Sequence, residues 1–406
     1  MFSKIFLGPT FRFWPTCPVA RKKSAPCALT DRELSRWRLV EDFKARLQAA
    51  AAKQPLAATW SHPERLLGYG DYLSLFLLGL LNPGVRTMRG LAAASRLARV
   101  QREVCSRAVS LGSFSEAQAL IEPALLAEVF GQLSREVCAG PGADAATQRR
   151  WLIQDGSLFD ALPRMYWAFW RRQGPAQSQV RLHLSLDLAQ AAPVRAVITP
   201  GKTCERAAWR TQCQRGDGYL GDRYYGEDYQ LFGELDQAGV GFVVRLRDQA
   251  VINGLEELPL TEADRHAKVT RAAWVTLGCQ ARDQSIRLRV VWVQTDKELL
   301  RLVTNLGPEE LSAGEVALLY KERWRIELFF RWVKCILGCR HWLAESPQGV
   351  ALQMYLALIA ALLLQLYTGQ RPNKRMMERI QFYLLGVASL DELCAGLERL
   401  TPHQKS

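Results

Sequence analysis

The chain has 406 residues, 49% of them hydrophobic and 23% charged, which is more than one hydrophobic core usually organises and points to two or three domains. Lys and Arg outnumber Asp and Glu by 53 to 40, a net charge of +13 that suits a polyanionic partner, because phosphate neutralisation dominates nucleic-acid affinity, and suits a merely basic soluble protein equally well. The ten cysteines are scattered, with no CxxC pair and no His at zinc-finger spacing, so they read as reduced thiols in a cytosol.

Residues 1–30 mix Lys4, Arg12, Arg21, Lys22 and Lys23 with Phe, Trp and Pro, and lack a sustained apolar stretch before a cleavage site. They are expected to form a weakly ordered basic lead-in. From 31 to 140 apolar residues recur at three- and four-residue spacing, broken at Asn82-Pro83-Gly84 and at 110–115, which predicts an all-helical domain. Ser113 or Ser115 is the expected helix cap there. The stretch from Arg86 to Arg107, with Arg89, Arg96, Arg99 and Arg102 between, is a candidate to line a DNA backbone or else a solvated helix face, so this domain is a candidate DNA-binding unit.

A Gly/Pro/Ala stretch over 140–148 reads as a linker, after which the period changes. Trp151 to Asp155 is a short apolar strand ending in Asp-Gly, and Val180 to Asp187 alternates strictly. Residues 196–199 form a third strand, helical segments follow over 204–215 and 227–239, and Gly241 opens a further strand. Residues 150–247 and 301–370 together predict a mixed α/β core, interrupted over 248–300 by a β-rich insertion. Ser312 with Glu315 makes a capping box that starts one long helix to about Leu337. Val350 to Tyr367 is uncharged for about 18 residues, near the minimum for a membrane span. Gln353 and Gln365 interrupt it, so a buried core helix is expected, and no membrane partner. A helical segment over 371–406 closes the chain.

The long helix carries the strongest single signal. Tyr320, Arg323, Glu327 and Lys334 fall within about 60° of one another on a straight α-helix, a stripe roughly 21 Å long. Trp324, Leu328 and Phe330 border it. Asp155 and Asp222 are each expected to close an apolar strand at a Gly-containing turn, leaving carboxylates at a sheet edge. Hard divalent cations take oxygen ligands, so Asp155, Asp222 and Glu327 are candidates to hold two Mg²⁺ ions, with Mn²⁺ able to substitute. Arg323 and Lys334 would then clamp neighbouring DNA phosphates, and the Tyr320 hydroxyl would donate to a phosphate oxygen. His183, on the alternating strand, and Trp292, in the insertion, are read as packed core residues. Cys335 and Cys339, four apart on the helix, are read as buried thiols.

Tyr320-Lys-Glu-Arg323-Trp-Arg-Ile-Glu327-Leu-Phe-Phe-Arg-Trp-Val-Lys334 resembles the Y-(2)-R-(3)-E-(6)-K signature of bacterial insertion-sequence transposases of the insertion sequence four type. Asp155-Gly-Ser157 is similar to that family's first-Asp motif and Gly221-Asp222-Arg-Tyr to its second, and the likeness spans about residues 70 to 370. It implies an RNase H-like mixed-sheet core with a β insertion before the Glu helix, and catalysis by Asp155, Asp222 and Glu327. It also implies double-stranded DNA partners, namely inverted-repeat ends and a target, a homodimer or higher oligomer in the synaptic complex, and a nucleoid-associated place in the bacterial cytoplasm. One departure stands out: the family's Asp-Arg-Gly-Tyr reads Asp222-Arg-Tyr224-Tyr225 here, which costs about 1 kcal/mol if φ is positive at Tyr224. A metal-dependent nuclease of the same fold remains the alternative. A DNA-binding protein with a defunct core is opposed by the retention of all three carboxylates and both cations.

Overall fold

The structure is a computed structural model and describes residues 38–53, 60, 62, 65, 67–139, 149–170, 177–279, 286–335, 337–339, 341–384 and 387–399. The lead-in over 1–30 and the stretch 140–148 lie outside them.

Among the described residues six helices come first: α1 (Arg38–Ala51), α2 (Tyr69–Leu81), α3 (Met88–Ala94), α4 (Ala98–Glu103), α5 (Leu111–Leu120) and α6 (Pro123–Cys138). α2 stops at Leu81 because Pro83 cannot continue it, and the Asn82 side chain accepts from Gly84 N–H to turn the chain. The cap of α5 is Ser110, which accepts from Ser113 N–H, rather than Ser113 or Ser115. Its extended backbone places it one residue outside the helix, which neither later serine is. Arg89, Arg96, Arg99, Arg102 and Arg107 are exposed along α3, α4 and the segment after them.

Ten strands then form one mixed sheet: β1 (Trp151–Asp160), β2 (Phe169–Trp170), β3 (Gln177–Asp187), β4 (Pro193–Pro200), β5 (Gly218–Gly226), β6 (Gly241–Leu246), β7 (Ile252–Glu257), β8 (Val269–Leu277), β9 (Leu288–Gln294) and β10 (Leu299–Thr304). The order across it is β2-β3-β1-β5-β6-β10-β9-β8-β7, with β4 also on β3. β4, β3 and β1 pair antiparallel, whereas β1, β5 and β6 pair parallel. The helices α7 (Glu205–Gln212) and α8 (Tyr229–Gln237) make the crossovers that parallel pairing requires. The 248–300 region is β-rich, but its strands extend this sheet through β10 and β9. One short helix interrupts it, α9 (Glu262–His266), started by a Thr261 capping box.

The stretch expected as one helix from Ser312 to Leu337 is two: α10 (Ala313–Lys321) and α11 (Arg325–Cys335), joined by a 3₁₀ turn over Glu322–Trp324. The Ser312–Glu315 capping box is present. Arg325 pairs with Glu322 and donates to Leu188 O at 3.1 Å, a tertiary tie that holds the turn against β3's exit.

The long apolar helix, α12 (Pro347–Thr368), starts at a Ser346 cap and ends where Gly369 turns left-handed at φ 63°. It is long and apolar enough to cross a membrane by composition, yet 83% of its most apolar window is buried inside the protein, against α2, α5, α6 and β4. Its glutamines are used rather than stranded: Gln353 bonds both His341 O and Leu343 N–H, and Gln365 donates to Gln190 O. α12 thereby joins the N-terminal helices and the sheet into one continuous core that includes Leu75, Leu126, Leu182 and Leu358. Helices α13 (Lys374–Leu384) and α14 (Leu390–Glu398) follow. Leu358 has no exposed surface. Leu358→Ala is expected to cost roughly 2–5 kcal/mol in urea unfolding while the far-ultraviolet dichroism of the folded protein is retained. A cost below about 1 kcal/mol would mean α12 is not the shared core.

Candidate active site

Asp155 and Asp222 do not close their strands. Asp155 lies midway along β1, which continues to Asp160 because β3 pairs with it throughout, from Leu152–Asp187 to Asp160–Gln179. Gly156 is extended rather than turned. Its glycine serves a close approach, since a Cβ there would sit 2.9 Å from Glu205 Cδ. Asp222 lies within β5, where the pairing with β6 breaks between Gly221 and Gly226. The parallel β1–β5 ladder runs from Trp151–Gly218 to Ile153–Leu220. Each aspartate therefore sits two residues beyond the last pair, and by strand alternation both share a face with Ile153 and Leu220. Those two residues belong to the core that also contains Ile326, Phe330 and Val333 of α11, so the carboxylates face the side on which the Glu helix packs.

The electrostatics agree with this placement. Burial first, then the negative charge of Asp222, push the Asp155 carboxyl up to about 7, against the stabilising pull of Gly156 N–H at 2.7 Å. Arg323 acts on Asp155 in the opposite sense. Asp222 accepts from Tyr224 N–H at 2.9 Å. Among the described residues other than glycine only Ala191 and Lys268 have positive φ, so Tyr224 carries no backbone strain and the cost expected for the missing glycine does not arise.

The 3₁₀ turn changes the geometry of the signature. Three residues at three per turn advance about 60° more than they would in an α-helix, so the single straight stripe becomes two faces hinged at Arg323. Arg323 is the centre of the arrangement: its Nη2 donates to Glu327 Oε1 at 2.6 Å, it hydrogen-bonds with Tyr320, and it faces Asp155 electrostatically. Burial raises the Tyr320 phenol to about 12, keeping it a hydrogen-bond donor. Glu327 points outward, with 56% of its side chain exposed, between the exposed Trp324 and Leu328. Lys334 lies over β1, its Nζ 4.7 Å from the centre of the Phe159 ring. Two of the three carboxylates thus converge, while Glu327 is held by Arg323. Consistent with that, no group of three His, Cys, Asp or Glu among the described residues is placed to hold a metal ion.

Sequence reading missed Glu205, Arg181 and Tyr225. Glu205 opens α7, pairs with Arg181 on β3, and accepts from Tyr225 Oη at 3.4 Å. Burial raises its carboxyl, opposed by Arg181. An acid in the first turn of a helix is commonplace, so nothing in the pattern separates it from its neighbours. The residues set aside are indeed packed: His183 is buried with Nε2 3.0 Å from Thr199 Oγ1 and burial lowers it to about 4, and Trp292 is buried under Arg271. Cys339 is buried but Cys335 is exposed, so only one of that pair is a core thiol.

Residues 147–363, more than half of the chain, match the family model described as a transposase DDE domain. The chain belongs to that family. Among curated relatives of this transposase, the protein named transposase y4zB of Sinorhizobium fredii is 27% identical over 299 residues, covering 71% of this chain and 80% of that one. The transposase of insertion sequence element IS5377 from Geobacillus stearothermophilus is 25% identical over 207 residues, 50% of this chain and 52% of that one. That of IS4SA from a Synechocystis species is 36% identical over 103 residues, 24% and 30% of the two chains. A solved piggyBac transposase, in a synaptic complex with hairpin DNA, superposes at TM-score 0.41 with 10% identity over 93% of this chain and 81% of that one, too loosely to add to the fold. The DDE family is one of DNA phosphoryl-transfer enzymes acting in transposition.

Proposed function

We propose that the transposase cleaves DNA at the inverted-repeat ends of an insertion sequence and joins the freed ends to target DNA, with Asp155, Asp222 and Glu327 as the catalytic triad. The observation that carries this is the convergence of Asp155 and Asp222 on adjacent parallel strands, each two residues past the end of their shared ladder, on the face where the Glu327 helix packs. The strand order β4-β3-β1-β5-β6, an antiparallel meander continued by two parallel strands, supports an RNase H-like core.

The donor set fits a hard divalent cation: it is all carboxylate oxygen, and burial beside Asp222 pushes the Asp155 carboxyl up to about 7, a cost that a bound cation would offset. Asp155 and Asp222 would hold the metal, and Glu327 would join them on leaving Arg323. Two Mg²⁺ ions bound there supply activation of the attacking oxygen and stabilisation of the leaving oxygen in an in-line displacement at phosphorus. Arg323, released from Glu327, then has its planar fork free for a phosphate beside the scissile one. The half-buried Tyr320 donates to a phosphate oxygen, and Lys334 supplies a cation farther along the backbone. Cleavage uses water and joining uses the DNA 3′-hydroxyl. In each a new P–O bond forms as the bond to the bridging oxygen breaks, the nucleophile loses its proton to solvent, and the leaving oxygen takes one up. Joining two ends requires a synaptic homo-oligomer, and the work is placed on bacterial DNA in the cytoplasm.

A labelled transposon end incubated with the purified protein tests the whole reading. Mg²⁺ or Mn²⁺ should give cut and joined products, whereas Ca²⁺ should support binding without cutting, because its larger and looser shell misplaces the reacting oxygens. Cutting without joining would make the protein a nuclease, and full cleavage in EDTA would remove the metal mechanism.

A further inference from the structure

The spacing of Asp155 from Asp222 is not set by backbone pairing, because the β1–β5 ladder ends at Ile153 and Leu220. Side chains take over beyond that point, and Glu205 contacts both strands. Its carboxylate lies against Gly156 on β1, where a Cβ would meet Cδ at 2.9 Å and Oε2 at 3.2 Å. Oε2 accepts from the buried Tyr225 hydroxyl on β5, and Oε1 pairs with Arg181 on β3. Glu205 and Arg181 are only 16% and 13% exposed, so their attraction is weakly screened and their geometry is held. Because successive residues of a strand point to opposite faces, Glu205 under Gly156 lies on the face away from the Asp155 side chain. It therefore acts through the backbone: Gly156 N–H is the donor to Asp155 Oδ1, so a shift of Gly156 carries that carboxylate with it.

We infer that Glu205 is a positioning residue, which bridges β1, β3 and β5 and so fixes the separation of Asp155 from Asp222 and their joint affinity for divalent cations. This rests on the proposed triad. It also assigns a reason to glycine at 156, which is the only residue that leaves room for the bridge.

Calorimetric titration of Mn²⁺ into the full chain, paired with single-turnover cleavage of a labelled end, tests it. Glu205→Ala is expected to weaken Mn²⁺ binding by about 10-fold or more, the scale on which groups that orient metal ligands act, and to slow cleavage with it. Glu205→Gln keeps the shape and can still bond Tyr225 and Arg181 but loses the charge attraction to Arg181, so its defect should be clearly smaller than that of Glu205→Ala without vanishing. Gly156→Ala should reproduce the Glu205→Ala defect, and the double variant should be no worse than the worse single, since both remove one contact. A folded Glu205→Ala with wild-type Mn²⁺ binding overturns the inference, as do a Glu205→Gln equally damaging or losses that multiply. Where Glu205→Ala does not fold, Gly156→Ala decides alone, and unchanged Mn²⁺ binding there overturns it. Asp155→Asn separates the two levels. Lost Mn²⁺ binding there, with none lost in Glu205→Ala, overturns the positioning role only, whereas no loss in either overturns the metal site and the role together.

Discussion

Asp155→Asn is expected to raise the melting temperature of the metal-free protein at pH 8 while abolishing DNA cleavage. In the folded chain burial, with Asp222 nearby, lifts the Asp155 carboxyl from the ordinary 3.8 to about 7. The folded state thus holds this proton more tightly than the unfolded state, so the group's contribution to stability is fully present below pH 4 and is lost as pH rises through 7. Above 7 the ionised carboxylate destabilises the metal-free fold by up to about 4 kcal/mol, three pH units at 1.36 kcal/mol each. Asparagine never ionises and escapes that cost. The gain should be less than half as large at pH 5, where the wild-type folded protein still holds the proton. Differential scanning fluorimetry of both proteins across pH 5 to 8 measures it, and an equal gain at both ends would mean the effect is packing rather than charge. Asp222→Asn and Glu327→Gln should lose cleavage as completely, each with DNA-end binding nearly intact. Cleavage within about tenfold of wild type in any of the three would remove that residue from the triad.

The contrast between local and tertiary determinants explains what was legible beforehand. Alternation over Val180 to Asp187 gave β3, the Ser312–Glu315 pair gave the start of α10, and an uncharged stretch with two glutamines gave the buried α12. These are properties of short windows. Asp155-Gly156 reads as a turn because Asp-Gly usually is one, and nothing nearby in sequence shows that Glu205, some fifty residues on, needs the space beside that glycine. The Glu helix scans as continuous because apolar periodicity survives a three-residue 3₁₀ turn, while the bond beside that turn, from Arg325 to Leu188 O, spans 137 residues. Likewise, strand propensity over 248–300 announces strands but not their neighbours, so their continuity with the sheet through β10 was invisible. That Arg323 holds Glu327 away from the aspartates was not readable from spacing.

Arg323→Ala should separate two roles that meet in this one side chain. Through its pair with Glu327, whose side chain is 56% exposed, Arg323 contributes only about 0.3–0.5 kcal/mol, so the loss of that pair by itself should leave the melting temperature nearly unchanged. As a phosphate clamp beside the scissile bond it should matter far more: strand cleavage and joining slow, Mn²⁺ binding persists because Glu327 is freed rather than lost, and the salt slope of DNA-end binding falls by about one unit. Lys334→Ala, which removes the cation over Phe159, should lower the slope by a similar amount. Arg323→Lys should recover affinity but only part of the rate, because a point charge restores attraction to phosphate without the planar two-bond geometry that orients it. If Arg323 serves only to hold Glu327 and steady the turn between α10 and α11, the pattern reverses: Arg323→Ala lowers the melting temperature, leaves the salt slope unchanged, and Arg323→Lys restores activity in full. Fluorescence anisotropy over a salt series and thermal unfolding, measured on the same preparations, choose between these outcomes.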